Sequence, residues 1–556
     1  MKDKFSIGID FGTESGRVVI VDVKNGNEVS SQIYKYQNGV IRNKLPNTNI
    51  YLEPDWALQD PKDYLNVLKY AVPEALVQGG INPKDIIGIG IDFTSSTLLP
   101  VRVDGTPLCF LPEWKDHPHA WVKLWNHHAA QAEANMINEI VRNIDIALLN
   151  RYGGKINSEW FFPKLLQILN EDPSLYTAAD RIIEAGDWIV WQMTGIETRN
   201  DCAAGYKAFY SKRKGFPQSE FFAKLHPRLE DVIDQKMIRK ITPHWHQAGT
   251  LSEKFAKWIG LPPGIPVAAA NVDAHSAVLG AGVSRSNIMV IIMGTSNCHM
   301  IMSKNEYIVP GICGCVEDGI LPGFFGYEAG QPCVGDLFAW FIENQVPEKY
   351  TKEAKERNID IYKLLEIKAS SLKVGENGIL ALDWWNGNRS ILADADLSGL
   401  LIGLTLTTKP EEIYRGLIEA TAYGTRKIIQ SFEDNGIHVD EIVACGGLPD
   451  KNELLMKIYA DVTCREIKLA KSSQTSALGA AIYGAFISGK EQCGYSSLTD
   501  AIQSMAHMKN ISYKPDKNNM IIYDNIFKEF EKLHDYFGRQ YNDVMKKLKS
   551  IRLNVR

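Results

Sequence analysis

Two periods of apolar and polar positions alternate along this chain. Short β-branched runs end in loops of Gly, Thr and Ser, and between them lie stretches with an apolar residue every three or four positions. The first runs, residues 5–10 (FSIGID) and 17–23 (RVVIVDV), flank the turn Phe11-Gly12-Thr13-Glu14-Ser15-Gly16 and predict a hairpin. The arrangement recurs about half a chain length later. Residues 287–293 (NIMVIIM) lead through Gly294-Thr295-Ser296-Asn297 into residues 298–303, which predicts a duplicated domain. Two further strands open onto suggestive loops: residues 86–92 onto Phe93-Thr94-Ser95-Ser96-Thr97, and residues 441–445 onto Gly446-Gly447-Leu448-Pro449. Helical periodicity covers residues 61–78, with a kink or break at Pro73, and residues 450–463, where Asp450 and Glu453 suggest a capping box. Strands alternating with helices imply an α/β architecture.

The chain has 556 residues, enough for two or three cores. The turn-rich segment Leu261-Pro-Pro-Gly-Ile-Pro266 stands just ahead of a natural join near 280–286, giving an N-terminal domain over 1–283 and a C-terminal domain over 284–556. From about Asp524 the sequence is charged and helical in period. With 61 Lys and Arg against 66 Asp and Glu, the net charge is −5, and no basic stripe is available for nucleic acid or an anionic membrane. No apolar stretch is long enough to span a bilayer, and Met1-Lys2-Asp3-Lys4 passes directly into a strand pattern, so neither membrane nor export is expected. Nine scattered cysteines without a CxxC pair read as reduced thiols of a cytoplasmic protein, and the His pairs lack the spacing of a structural metal site.

Gly-Thr turns between strands expose backbone N–H groups beside a hydroxyl, a nest suited to phosphate oxygens. Two of them in corresponding halves fit one phosphate chain. Asp10, ending the first strand, is either a turn-capping residue or a holder of hydrated Mg²⁺. Asp273, within Ala270-Asn271-Val272-Asp273-Ala274-His275, is either a helix N-cap or a base that takes a proton from a substrate hydroxyl.

These residues carry a resemblance. GIDFGTESGR at 8–17, the Asp273 segment, MGTS at 293–296, CGGLPDKN at 445–452 and SQTSALGAA at 473–481 occur in the order of the FGGY carbohydrate kinase family, spanning about residues 5–490. Asp92 to Thr97 (DFTSST), Trp114-Lys115-Asp116-His117, Cys202 to Lys207 (CAAGYK) and Tyr327 to Gln331 (YEAGQ) narrow the resemblance to kinases of L-ribulose. It implies two ribonuclease-H-like α/β domains of the actin, Hsp70 and sugar-kinase superfamily, with a catalytic cleft between them. ATP would be the phosphate donor and Mg²⁺ its metal. Asp273 would be the general base, Asp10 would organise Mg²⁺, Gly12, Thr13, Gly294 and Thr295 would hold phosphates, and Gly446, Gly447 and Asn452 would lie by the adenosine. Ser95, Ser96, Lys207, Asp273 and Glu328 would surround the ketopentose, although Lys207 on sequence alone reads equally as a surface lysine. Small residues Ala477, Gly479, Ala480 and Ala481 would let a helix pack beneath the adenosine site. The expected reaction is phosphorylation of L-ribulose at its C5 hydroxyl, with other pentuloses or polyols, or a switch ATPase without a sugar, as rivals. A homodimer is left open.

Overall fold

The computed structural model describes residues 3–555; Met1, Lys2 and Arg556 of the expected domain ranges lie outside the described residues. The chain divides into two compact units. The first holds residues through Ser284 together with Cys315–Gly326 and Gln474–His507, and the second holds Arg285–Gly314, Tyr327–Ser473 and the residues from Met508 onward.

The first unit is built on a mixed sheet in the order Glu28–Lys35, Ser15–Asp22, Phe5–Phe11, Ile86–Phe93, Pro266–Ala268, Gln247–Thr250, with Asn271–Val272 also paired to Ile86–Phe93. Phe5–Phe11 runs antiparallel to Ser15–Asp22 and parallel to Ile86–Phe93. Ile86–Phe93 is buried along its whole length, as a central strand covered on both faces must be. On one face lies the helix Thr475–Ser488. A Cβ built on Gly8, Gly88 or Gly90 would stand 1.8, 2.0 or 1.8 Å from the carbonyl oxygens of Ala477, Gly484 and Ala480. Glycines on the strands and small residues on the helix therefore let backbone meet backbone. Ser6 adds a hydroxyl bond to the Ala481 carbonyl at 2.7 Å. The small residues expected beneath an adenosine site thus pack on the first sheet, and Gly479 lies against Ser276 of the helix Asp273–Gly280.

A small sheet in the order Leu58–Gln59, Val122–Lys123, Leu98–Val101, Arg181–Glu184 extends the first unit. Helices between residues 131 and 178 and between 201 and 236 gather around it, and one core of Trp160, Phe161, Phe162, Leu165, Leu166 and their neighbours fills the space, while Ala185–Thr194 packs in the core of the main sheet. The helix Phe161–Glu171 is buried from Phe161 to Leu169 without a break.

The second unit repeats the topology. Its sheet runs Phe325–Gln331, Asn297–Ser303, Ile288–Met293, Glu441–Cys445, Ile467–Ala470, Met508–Tyr513. Again the central hairpin is antiparallel, and its inner strand continues into parallel pairs, Ile288–Met293 with Glu441–Cys445 and that strand with Ile467–Ala470. The duplication read from the two Gly-Thr turns is present as a repeated strand order.

Local expectations met two physical corrections. The stretch 61–78 does not break at Pro73 but is irregular just before it: a π-helical turn, Val67–Ala71, joins Pro61–Asn66 to Val72–Gln78, and Pro73 falls in the first turn of the last segment. The helix Glu453–Thr463 is capped by Asn452, not Asp450; Asn452 Oδ1 accepts from the Leu455 N–H at 2.9 Å, while Asp450 pairs with Lys509.

Candidate active site

The first unit gathers carboxylates at the carboxyl ends of adjacent parallel strands. Asp10 and Asp92 are register partners, Asp92 is also the partner of Asn271, and Arg17 is the partner of Asp10 across the hairpin. Register partners share a face of a sheet, so Arg17, Asp10, Asp92 and Asn271 form one polar row. Arg17 Nη1 donates to Asp10 Oδ2 at 2.8 Å. Asp92 is fully buried, and neither of its carboxylate oxygens has a hydrogen-bond donor. Burial first, and then the charges of Asp10 and Asp273, push its carboxyl well above the ordinary carboxylate range. One residue beyond Asn271–Val272, Asp273 opens the helix Asp273–Gly280. Its Oδ1 accepts from the Ala274 N–H at 2.7 Å, and the side chain remains partly exposed. It is therefore helix-initiating and, at the same time, accessible.

Beside the row lies the Gly12-Thr13 turn, closed by the Gly12 N–H donating to the Ser15 carbonyl at 3.0 Å. Gln59 Nε2 donates to the Thr13 carbonyl at 2.6 Å, and the Trp125 indole N–H donates to Thr13 Oγ1 at 3.0 Å. An indole can only donate, so the Thr13 hydroxyl keeps its own proton to give. The loop after Ile86–Phe93 holds Ser95, partly exposed, and Ser96, which has φ 51° and a buried hydroxyl without a partner. Thr94 and Thr97 bond each other through their hydroxyls at 2.8 Å, and the Thr97 N–H donates to Glu184 Oε2 at 3.0 Å. Burial pushes Glu184 up to about 8. Lys207 ends the helix Asp201–Lys207, is buried, and sets its ammonium 5.6 Å from the Trp160 ring centre. The surface reading of this lysine fails, because the core around Trp160 closes over it.

Glycine and backbone make the second unit's share. Ile288–Met293 and Glu441–Cys445 lie side by side with Ile292 opposite Cys445, so the loops that follow them are neighbours. The Gly294-Thr295 turn is closed by the Gly294 N–H on the Ser296 carbonyl at 2.9 Å, and the N–H groups of Val334 and Gly335 donate to the carbonyls of Thr295 and Gly294 at 2.8 and 3.0 Å. Gly446 has φ +94°, and a Cβ there would stand 2.4 Å from the Met293 carbonyl. Both facts demand glycine. Gly447 has nothing within 4 Å of where a Cβ would stand, which leaves an open backbone face. Asn452 is committed at both ends of its amide: Oδ1 caps the helix, and Nδ2 donates to the Tyr414 hydroxyl at 3.1 Å. Glu328 lies on Phe325–Gln331, partly exposed, with its carbonyl accepting from the Cys313 N–H at 2.7 Å.

The structure thus brings Asp10, Gly12, Thr13, Ser95, Ser96, Lys207 and Asp273 into the first unit, and Gly294, Thr295, Gly446, Gly447, Asn452 and Glu328 into the second. Sequence reasoning missed Arg17 and Glu184, left Trp125 outside the site as equally a core aromatic, and quoted Asp92 without giving it a role; Arg17, Trp125 and Glu184 hold Asp10, Thr13 and the 94–97 loop by hydrogen bonds. Among the described residues no group of three or more His, Cys, Asp or Glu side chains is placed to hold a metal ion. Mg²⁺ takes one or two carboxylates and completes its shell with water and phosphate. Asp10 offers one carboxylate, with Oδ2 held by Arg17, beside the buried Asp92 carboxylate that lacks donors, and carboxylate oxygens of this kind fit such an ion.

Residues 5–280 match the model of the N-terminal domain of the FGGY family of carbohydrate kinases, and residues 289–488 match that of its C-terminal domain. The chain is 55% identical over 550 residues to the ribulokinases of Anoxybacillus flavithermus and Geobacillus thermodenitrificans, covering 99% of this chain and 97% of each relative. A ligand-bound xylulose kinase from Lactobacillus acidophilus superposes with a TM-score of 0.79 at 17% identity, over 97% of this chain and 100% of that one.

Proposed function

The chain belongs to the FGGY family of carbohydrate kinases, and on that premise we propose that it transfers the γ-phosphate of ATP to the C5 hydroxyl of L-ribulose, forming L-ribulose 5-phosphate in the cytoplasmic breakdown of L-arabinose. The observation that carries the choice of sugar is 55% identity, nearly end to end, to proteins named ribulokinase. The site residues support the chemistry. Asp273 is a partly exposed carboxylate at the head of a helix. It takes the proton of the attacking hydroxyl, which raises the nucleophilicity of that oxygen as it approaches phosphorus. Lys207, Ser95, Ser96 and Glu328 supply donors and acceptors for the remaining hydroxyls of the ketose. Thr13, with a proton to give, and the Gly12, Gly294 and Thr295 backbones hold phosphate oxygens. The open face of Gly447 admits the flat adenine, and Asn452 fixes the helix start beside it. Bound at Asp10, Mg²⁺ would neutralise charge on the transferring phosphate.

A coupled ADP-release assay with MgATP and L-ribulose, D-ribulose, L- and D-xylulose, ribitol, glycerol and a no-sugar blank tests the proposal. A clear preference for L-ribulose is expected. Equal rates across the pentuloses would overturn the stereochemical assignment, and ADP release that no sugar changes would overturn the sugar reading altogether.

A further inference from the structure

The helix Phe161–Glu171 carries one charged residue in its buried run, Lys164. Its ammonium is fully buried and donates to three backbone carbonyls: Ser96 at 2.7 Å, Leu124 at 2.7 Å and Trp125 at 3.4 Å. An ammonium has three N–H groups, so these bonds use it completely. Each acceptor belongs to a segment of the candidate site. Ser96 stands at the turn of the 94–97 loop, in a left-handed conformation that a residue with a side chain holds only when its surroundings impose it. Trp125 is the residue whose indole donates to the Thr13 hydroxyl.

We propose that Lys164 is a positioning residue, which fixes the sugar-binding 94–97 loop and, through Trp125, the Thr13 hydroxyl of the phosphate loop in one rigid frame. The inference rests on reading residues 94–97 as the sugar loop. Packing alone gives no reason for a cation here. The neighbours of Lys164 on its helix, Leu165, Leu166 and Phe162, fill an apolar core, and an apolar side chain would join them at lower desolvation cost. Burial holds the Lys164 ammonium down to about 7, with Glu159 and Glu184 acting to raise it and Lys207 to lower it. A residue kept under that strain, with every proton directed at a loop carbonyl, acts on the shape of those loops.

The test is steady-state kinetics of Lys164→Gln beside the wild type, with circular dichroism and melting to confirm folding. The expected result is a KM for L-ribulose raised at least tenfold, with a smaller rise for MgATP and kcat within about threefold. A folded Lys164→Gln with both KM values unchanged overturns the proposal while leaving the sugar reading intact. Wild-type ADP release that L-ribulose does not stimulate overturns the sugar reading and this proposal with it. Should Lys164→Gln fail to fold, Trp125→Phe decides, because it cuts the same frame at a partly exposed indole. A severalfold rise in its KM for MgATP supports the frame, and an unchanged value overturns it.

Discussion

The two Gly-Thr turns occupy the same place in a repeated topology, yet they are held by different means. In the first unit side chains do the holding: Gln59 and Trp125 grip Thr13, and Arg17 grips the neighbouring Asp10. In the second unit the turn is secured by backbone N–H groups of Val334 and Gly335. The strand ends differ in the same sense. The register pair Asp10 and Asp92 of the first unit has Ile292 and Cys445 at the corresponding place in the second. Duplication copied a scaffold with two phosphate-sized turns. One copy carries carboxylates at its paired strand ends, while the other has apolar strand ends and an open glycine backbone at Gly447. The two copies therefore differ as side chain against main chain, and the proposed function assigns them different tasks.

The sharpest way to break this comparison is to disable the acidic copy alone. Asp273→Asn is expected to lower sugar-dependent turnover by about 10²–10⁴-fold, while calorimetric affinity for a non-hydrolysable ATP analogue stays near the wild-type value. Comparable loss of both would show that the two functions are not divided. A smaller effect comes from the other copy. Gly446→Ala forces a side chain into a left-handed position against the Met293 carbonyl and is expected to cost about 1–3 kcal/mol of stability, seen as a lower melting temperature, together with weaker nucleotide binding. Gly447→Ala, with open space around it, is expected to weaken nucleotide binding without moving the melting temperature. Equal thermal effects at the two glycines would remove the distinction drawn between them. Thr13→Val deletes the hydroxyl that remains free to donate, and a KM for MgATP raised by a few fold is expected; no change would take Thr13 out of the phosphate loop.

The mildest test is one of stability against pH. Glu184, pushed up to about 8 by burial, keeps in the folded state a proton that the unfolded chain releases near 4.5. A raised acid favours folding at low pH, and that contribution is lost as pH rises from about 4.5 through about 8. Glu184→Gln keeps an oxygen to accept the Thr97 N–H and removes the titration. Melting of the wild type should fall relative to this variant across that window, and parallel curves would place the Glu184 proton elsewhere.

Strand ends and turns were legible because their cause is local. A β-branched run followed by Gly-Thr predicts a hairpin, and both hairpins formed with boundaries shifted by no more than two residues. Asp273 was legible as a strand-end carboxylate; the N-cap reading gives way, because Val272 is the cap and Asp273 the first helical residue, and the side chain remains partly exposed. What stayed hidden depends on contacts distant in sequence. Lys164 sits in FFPKLLQILNE, where a lone lysine looks like the solvent edge of an amphipathic helix; only the surrounding core shows that this helix has no solvent edge over 161–169. Asp92 was visible as the end of a strand, but its lack of donors follows from neighbours on three other strands. Asn452 was read as part of a nucleotide motif, and its capping role emerges only once the helix start is located.

The glycine-lined meeting of the first sheet with Thr475–Ser488 bears on how the protein is made. The hydroxyl of Ser6 bonds a carbonyl 475 residues further along the chain. At a synthesis rate of about 5–20 residues per second, roughly 20–100 s pass between the two leaving the ribosome. Throughout that interval the strands bearing Gly8, Gly88 and Gly90 lack the helix that covers them. During translation the N-terminal half thus waits with the glycine-lined face of its sheet uncovered. A stop codon shortly before residue 474 would leave Asp10 and Asp273 in place on a domain unable to close its core.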